Sequence, residues 1–199
     1  MIRFAAAVLV AGVVLLSPAQ AGKYNKKISV GDSAPTFSDL PGIDDKKYSL
    51  SDFKDKDFLV VVITCNHCPV AVAYEDRIIA LTKKYADKNV GVVAINVNKI
   101  EADRLPKMKE RAQEKGFNFP YLFDESQKIG RALGASVTPQ FFLLDKERKI
   151  AYTGALDDDQ RVKNVKTKYL EDAIDTLLKG EKISTTETRA RGCGVQYSR

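Results

Sequence analysis

Two unbroken apolar runs organise the chain. Phe58 to Thr64 (Phe-Leu-Val-Val-Val-Ile-Thr) and Asn89 to Val97 are rich in β-branched residues and show little polar alternation. That is the pattern of strands buried on both faces of a parallel or mixed sheet. Between them, Val70, Ala73, Tyr74, Ile78, Leu81 and Tyr85 recur at helical spacing, and Pro69 suits the first helical position, where a missing N–H costs nothing. Asp103 to Lys115 predicts a charged surface helix ending at Gly116, and Gln127 to Leu133 a short helix closed by Gly134. Phe141 to Leu144 and Lys149 to Thr153 predict a hairpin turning at Asp145 to Arg148. Lys163 to Leu178 predicts a last amphipathic helix, with Val165, Tyr169, Ala173, Ile174 and Leu177 inward and Gly180 as its stop. The order β-α-β-α-α-β-β-α predicts an α/β fold: a mixed central sheet with helices on both faces.

The ends read differently. Met1 to Ala21 has a positive Arg3, an uncharged apolar run from Phe4 to Leu16 and small residues at Ala19 and Ala21. The run is shorter than the roughly 20 residues that span a bilayer, so it predicts a cleaved export signal. Residues 22–182 then form one domain, preceded by a polar, frayed start at Gly22 to Lys27, and 183–199 form a polar, basic tail. With 44% hydrophobic residues among 199, the chain can fill a core, which excludes global disorder. The formal charge of +6 is spread among acidic residues rather than gathered in a stripe, so nucleic acid is not an expected partner. Glu75 and Arg77 are expected to be solvated, Asp157-Asp158-Asp159 to be an acidic turn leading a helix, and Tyr24 and Tyr197 to lie in mobile termini.

The chemistry sits where the first strand meets its helix, at Cys65-Asn66-His67-Cys68. Two cysteines at this spacing can close a small disulfide, so the expected redox group is a Cys65–Cys68 disulfide, with no other cofactor and no metal. A helix N-terminus favours an anion, and a protonated His67 would add a second positive neighbour. Both are expected to lower the pKa of Cys65, making it the nucleophile and Cys68 the resolving thiol. Val137-Thr138-Pro139, just before a strand, is the second element. A cis Pro139 would leave the Thr138 backbone free to pair with an extended peptide lying over Cys65.

These residues resemble the thioredoxin-like superfamily, and specifically the exported redoxin group between thioredoxins and alkyl-hydroperoxide-reductase-type peroxiredoxins. Val30-Gly31-Asp32-Ser33-Ala34-Pro35-Thr36-Phe37 is similar to that group's N-terminal signature, and Tyr48-Ser49-Leu50-Ser51-Asp52-Phe53 to the element after it. Thr64 to Pro69 is similar to its active-site turn, Thr138-Pro139 to its cis-proline, and Tyr152-Thr153-Gly154 to its last strand. The resemblance implies a three-layer α/β/α sandwich with an N-terminal extension. It also implies thiol–disulfide exchange with protein thiols, a redox partner that supplies or takes electrons, and substrate contacts at Thr64 and Thr138. Cys193, in Arg191-Gly192-Cys193-Gly194, resembles a carboxyl-terminal feature of the peroxiredoxin-like subgroup, where it could resolve a disulfide with Cys65 or pair with another chain.

The departures bear on mechanism. In peroxiredoxins the attacking cysteine precedes a proline, the place of Cys68, and a Thr or Ser stands three residues earlier, where this chain has Cys65. Their late-strand Arg is replaced by Pro139, which removes the main electrostatic help to peroxide. Thioredoxins carry a buried Asp where Leu59 stands and a Trp where Thr64 stands. Two alternatives follow: a thiol peroxidase, and a copper- or zinc-binding envelope protein using Cys65, Cys68 and His67. The single His leaves the second without the distant His ligand that copper chaperones of this fold use.

Overall fold

The computed structural model describes residues 22–198; the export signal expected at Met1 to Ala21 lies outside them. A short hairpin, β1 (Leu40–Pro41) and β2 (Lys47–Tyr48), precedes β3 (Phe58–Thr64), α1 (Pro69–Tyr85), β4 (Val90–Asn96), α2 (Leu105–Lys115) and β5 (Tyr121–Phe123). Then come α3 (Lys128–Ala132), β6 (Val137–Thr138), β7 (Gln140–Leu144), β8 (Ile150–Gly154), α4 (Tyr169–Leu178) and β9 (Cys193–Gly194).

The central sheet has five strands in the order β5-β4-β3-β7-β8. β3 and β4 pair in parallel, as do β4 and β5, whereas β7 runs antiparallel to β3 and β8 antiparallel to β7. Every residue of β3 and of β4 is buried, as their continuous apolar runs require. Alternate residues serve the two faces. Phe58, Val60 and Val62 pack in one layer with Tyr74, Ile78 and Leu81 of α1 and Leu170, Ala173 and Ile174 of α4. Leu59, Val61 and Ile63 pack in the other with Ile129 of α3 and with Ile28, Phe37 and Phe53 of the N-terminal extension. The expected three-layer α/β/α sandwich is the one observed.

Several local differences have clear causes. β5 is absent from the sequence-based order because three residues are too few to show a period, yet all three are buried. α4 begins at Tyr169 rather than Lys163, because a 3-10 turn over Val162–Asn164 ends in extended backbone at Val165. Glu75 is buried rather than solvated, and both of its carboxylate oxygens accept from Arg111, at 3.0 and 2.7 Å, clamping α1 to α2. Arg77 is likewise engaged: it donates to the buried Asp157 at 2.5 Å, and Tyr74 Oη donates to the same carboxylate at 2.9 Å. Burial pushes Asp157 above the ordinary carboxylate pKa, and the Arg77 guanidinium opposes it.

The two ends are stitched together. Lys23, Tyr24 and Asn25 donate their backbone N–H groups to the Glu187 carboxylate at 2.6–2.7 Å. Asn25 is buried and donates to Leu133 O at 2.7 Å, so the expected fraying at Gly22 to Lys27 is not observed. Thr153 N donates to Thr186 O and Thr188 N to Thr153 O, so the tail runs along the β8 edge. Burial pushes the Glu187 carboxyl up, but the three amides more than offset this and hold it below its ordinary 4.5. Its contribution is therefore full above pH 4.5 and is lost as pH falls through the lower folded value. Acidification should release this clasp: the protection factors of the Lys23 to Asn25 amides are expected to fall once the pH drops below 4.5 and through the lowered value, while core amides of β3 stay protected. Unchanged protection at those three amides would refute the clasp.

Candidate active site

The site forms at the carboxyl end of β3, where a continuous apolar strand delivers Cys65 to the sheet rim. Cys68 is the N-cap of α1, in extended backbone, and Pro69 occupies the first helical position. Both sulfurs meet Thr138, whose bond to Pro139 is cis. Cys65 Sγ lies 3.1 Å from Thr138 Oγ1, and Cys68 Sγ lies 3.3 Å from Thr138 O. Cys65, Cys68, Thr138 and Pro139 are thus brought together. Thr64, expected to contact substrate, is buried as the last residue of β3 and registered against Asn96 of β4.

The cysteine pairing differs from the expectation. The disulfide joins Cys68 to Cys193, with 5.9 Å between Cα atoms, and Cys65 is a free, buried thiol. Neither the expected Cys65–Cys68 disulfide nor a Cys65–Cys193 link is present. The physical reason is the route of the tail. β9 pairs antiparallel with β6, with Cys193 opposite Thr138 and Gly194 opposite Val137, which brings Cys193 onto the Cys68 side of the cis-proline turn. The Thr138 backbone, expected to be open to an extended peptide, is therefore occupied by the chain's own residues.

The electrostatics of Cys65 also differ from the expectation of a lowered pKa. Burial is the largest influence and pushes the thiol above its ordinary 9.0; the nearby Asp103 carboxylate pushes the same way. Three donors oppose them: the Thr138 hydroxyl, the Cys68 backbone N–H and the Asn98 side chain. Because Cys68 is the cap, the first free helix amide to reach a sulfur, Ala71 N, sits 3.4 Å from Cys68 Sγ rather than Cys65 Sγ.

Asp103, fully buried, has no counterpart in the sequence-based site. One carboxylate oxygen accepts from Asn66 N at 2.7 Å and His67 N at 3.2 Å. The other is in close contact with His67 Nδ1. Asp103 thereby shapes the whole Cys65-to-Cys68 turn and fixes the His67 ring. Asn98 is the second missed residue: it is buried, its Oδ1 accepts from Gln196 N at 3.2 Å, and its Nδ2 has no hydrogen-bond partner. Its signal was weak because Asn98 and Asp103 lie in the loop after β4, far along the chain from the cysteines. The donor atoms of Cys65, His67 and Asp103 lie within 4.8 Å of one another, a set that could offer three ligands. Zinc sites take three protein ligands only with an open fourth position, and the ligating thiol must be ionised, which burial of Cys65 opposes. The Cys65, Cys68 and His67 set expected for copper or zinc is not assembled, since Cys68 is bonded to Cys193. Beside Pro139 a cleft of about 820 Å³ opens, bordered by Val70, Tyr74, Phe141, Leu156, Arg189 and Arg191.

Comparison with known proteins fits this geometry. Residues 29–169 match the family model described as Redoxin. The thiol-disulfide oxidoreductase ResA of Bacillus thuringiensis is 32% identical over 129 residues, covering 63% of this chain and 69% of that protein. Two solved structures superpose over 87% of the chain: a hypothetical protein from Sinorhizobium meliloti (34% identity, TM-score 0.80, 97% of that chain) and a conserved protein from Geobacillus kaustophilus (31%, 0.82, 95%).

Proposed function

Given that the chain belongs to the redoxin family and is an oxidoreductase of thioredoxin-like fold, we propose that it exchanges disulfides with protein thiols outside the cytoplasm through Cys65 and Cys68. The observation that carries the proposal is a free thiol and a disulfide sulfur meeting the same residue, Thr138, one at its hydroxyl and one at its carbonyl. Export is supported by the leader-like pattern of Met1 to Ala21 and by a disulfide in the fold.

The geometry revises the order of attack expected from sequence. A partner cysteine is carried on Cys68, as Cys193 is, and Cys65 is the thiolate that releases it. In the reduced chain, Cys68 attacks the substrate disulfide and forms a mixed disulfide, expelling one substrate thiolate. Cys65 then attacks Cys68 Sγ, closes Cys65–Cys68 and expels the second. Two electrons pass to the substrate, and a redox partner must reopen the pair. Thr138, the Cys68 N–H and Asn98 stabilise the Cys65 thiolate as it forms. His67, with its side chain 25% exposed, links the buried Asp103 to solvent.

Reduction of insulin-type disulfides, or oxidation of a reduced test protein, is the direct assay, and failure of both would remove the proposal. Because burial raises the Cys65 pKa, the releasing step should quicken by about tenfold per pH unit through neutrality and beyond pH 9. A plateau near pH 7 would contradict the assignment. Amino-terminal sequencing of the envelope fraction should start at Gly22; a cytosolic chain retaining Met1 would overturn export. One observation favours a second reading, thiol peroxidase: Cys68, at the place of a peroxiredoxin's attacking cysteine, is joined to a tail cysteine. Peroxide consumption that survives Cys65→Ser but not Cys68→Ser would select it.

A further inference from the structure

Residues 192–198 are held as a ligand is held. Besides the β6–β9 register, Val195 N donates to Ser136 O at 3.0 Å. Two almost fully buried amide side chains then read the backbone that follows. Asn98 Oδ1 accepts from Gln196 N, while Gln127 donates to Gln196 O at 2.9 Å and accepts from Ser198 N at 2.7 Å. Tyr197 Oη donates to Ala135 O at 2.7 Å, and Arg131 stacks 4.5 Å from its ring centre. Strand addition of this kind takes its affinity from the main chain and its specificity from where side chains fit. Here the fit is restrictive at one place: a Cβ on Gly192 would lie 1.9 Å from Thr138 O, inside any tolerable contact.

We propose that Gly192–Ser198 is a tethered stand-in for the partner segment expected at the Ser136–Thr138 edge, discharged by exchange within the molecule, and that this edge admits only partners whose reactive cysteine directly follows a glycine. The inference rests on the exchange function assigned to Cys65 and Cys68 and names the substrate class of that site. Discharge needs no outside oxidant or reductant. Cys65 loses its proton and its thiolate attacks Cys68 Sγ. The Cys65–Cys68 bond forms as Cys68–Cys193 breaks, and Cys193 leaves as a thiolate and takes up a proton. The number of disulfides is unchanged. The tail is then held only by its hydrogen bonds, and a partner's Gly-Cys segment competes for the edge. Asn98 sits where the two events meet: its Oδ1 holds the docked tail, while its buried Nδ2 has no partner of its own.

The test uses the full chain carrying Cys193→Ser, which leaves the edge untethered, and two synthetic peptides activated as thionitrobenzoate disulfides. One is Arg-Gly-Cys-Gly-Val-Gln-Tyr; the other has Ala in place of the Gly before Cys. The first is expected to form the mixed disulfide about tenfold faster or more, a modest result for so close a clash. It should also react faster with the variant than with the unaltered chain. Equal rates for the two peptides, or no gain on untethering, would overturn the inference. If the protein exchanges with insulin yet does not discriminate, only this inference fails; if it exchanges with nothing, the function itself fails. A second variant, Gly192→Ala, keeps all three cysteines. It should expel the tail, so that peptide mapping finds Cys65–Cys68 and an alkylatable Cys193; persistence of Cys68–Cys193 would count against docking specificity.

Discussion

Replacing Cys65 with serine should abolish turnover, by about a thousandfold or more in kcat/KM, and should freeze the enzyme with a partner on Cys68. The hydroxyl is nearly isosteric with the thiol and sits in the same contact with Thr138, so the fold is expected to survive with an unchanged urea midpoint. What it lacks is a sulfur to attack the mixed disulfide. In the variant, Cys68–Cys193 should therefore persist, and once Cys193 is also replaced by serine, substrates added to the reduced protein should accumulate as trapped adducts on Cys68. Mass spectrometry of tryptic peptides distinguishes the roles: adducts on Cys68 in Cys65→Ser/Cys193→Ser support them, and adducts that instead build up on Cys65 in Cys68→Ser would reverse them.

The second large effect belongs to Asp103. Its replacement by alanine leaves the backbone N–H groups of Asn66 and His67, and the His67 ring, without their shared acceptor at a fully buried position. Three part-buried donors stripped of a charged partner cost about 3 kcal/mol in total, so the urea midpoint should fall markedly and exchange activity with it. Asp103→Asn retains an acceptor oxygen and should recover most of the stability. It also removes the negative charge that raises the Cys65 pKa. Its pH profile should consequently shift to lower pH, not higher. If the alanine variant is as stable as the parent, or the asparagine variant shifts the profile upward, Asp103 does not organise the turn.

The contrast between Cys65 and Asp103 shows how far primary structure reaches. β3 was legible residue for residue, because a strand covered on both faces has no polar alternation to blur its limits. The cysteine pair and cis-proline were legible because each sits beside a strong local signal, a strand end followed by Pro69 and a proline opening β7. The sign of the Cys65 pKa shift was not. The helix terminus is a local feature, whereas the burial that outweighs it, and the Asp103 charge that adds to it, arise only when parts of the chain distant in sequence come together. Asp103 opened an unremarkable charged helix and nothing in its neighbours marked it as buried. Cys193 stood out as an odd cysteine, but its partner depended on a path set by Glu187, Thr188 and the β8 edge, which polar composition alone disguised as a loose end.

The Cys68–Cys193 bond spans 125 residues of sequence. In the chain-entropy picture, a ring of that size restrains the unfolded ensemble by about 5 kcal/mol, against about 2 kcal/mol for the tiny ring that Cys65–Cys68 would close. Handing the cross-link from one pair to the other thus trades durability for reactivity. A resting molecule is braced against heat and proteolysis from Cys68 to Cys193, and it becomes more fragile at the moment its working pair is armed.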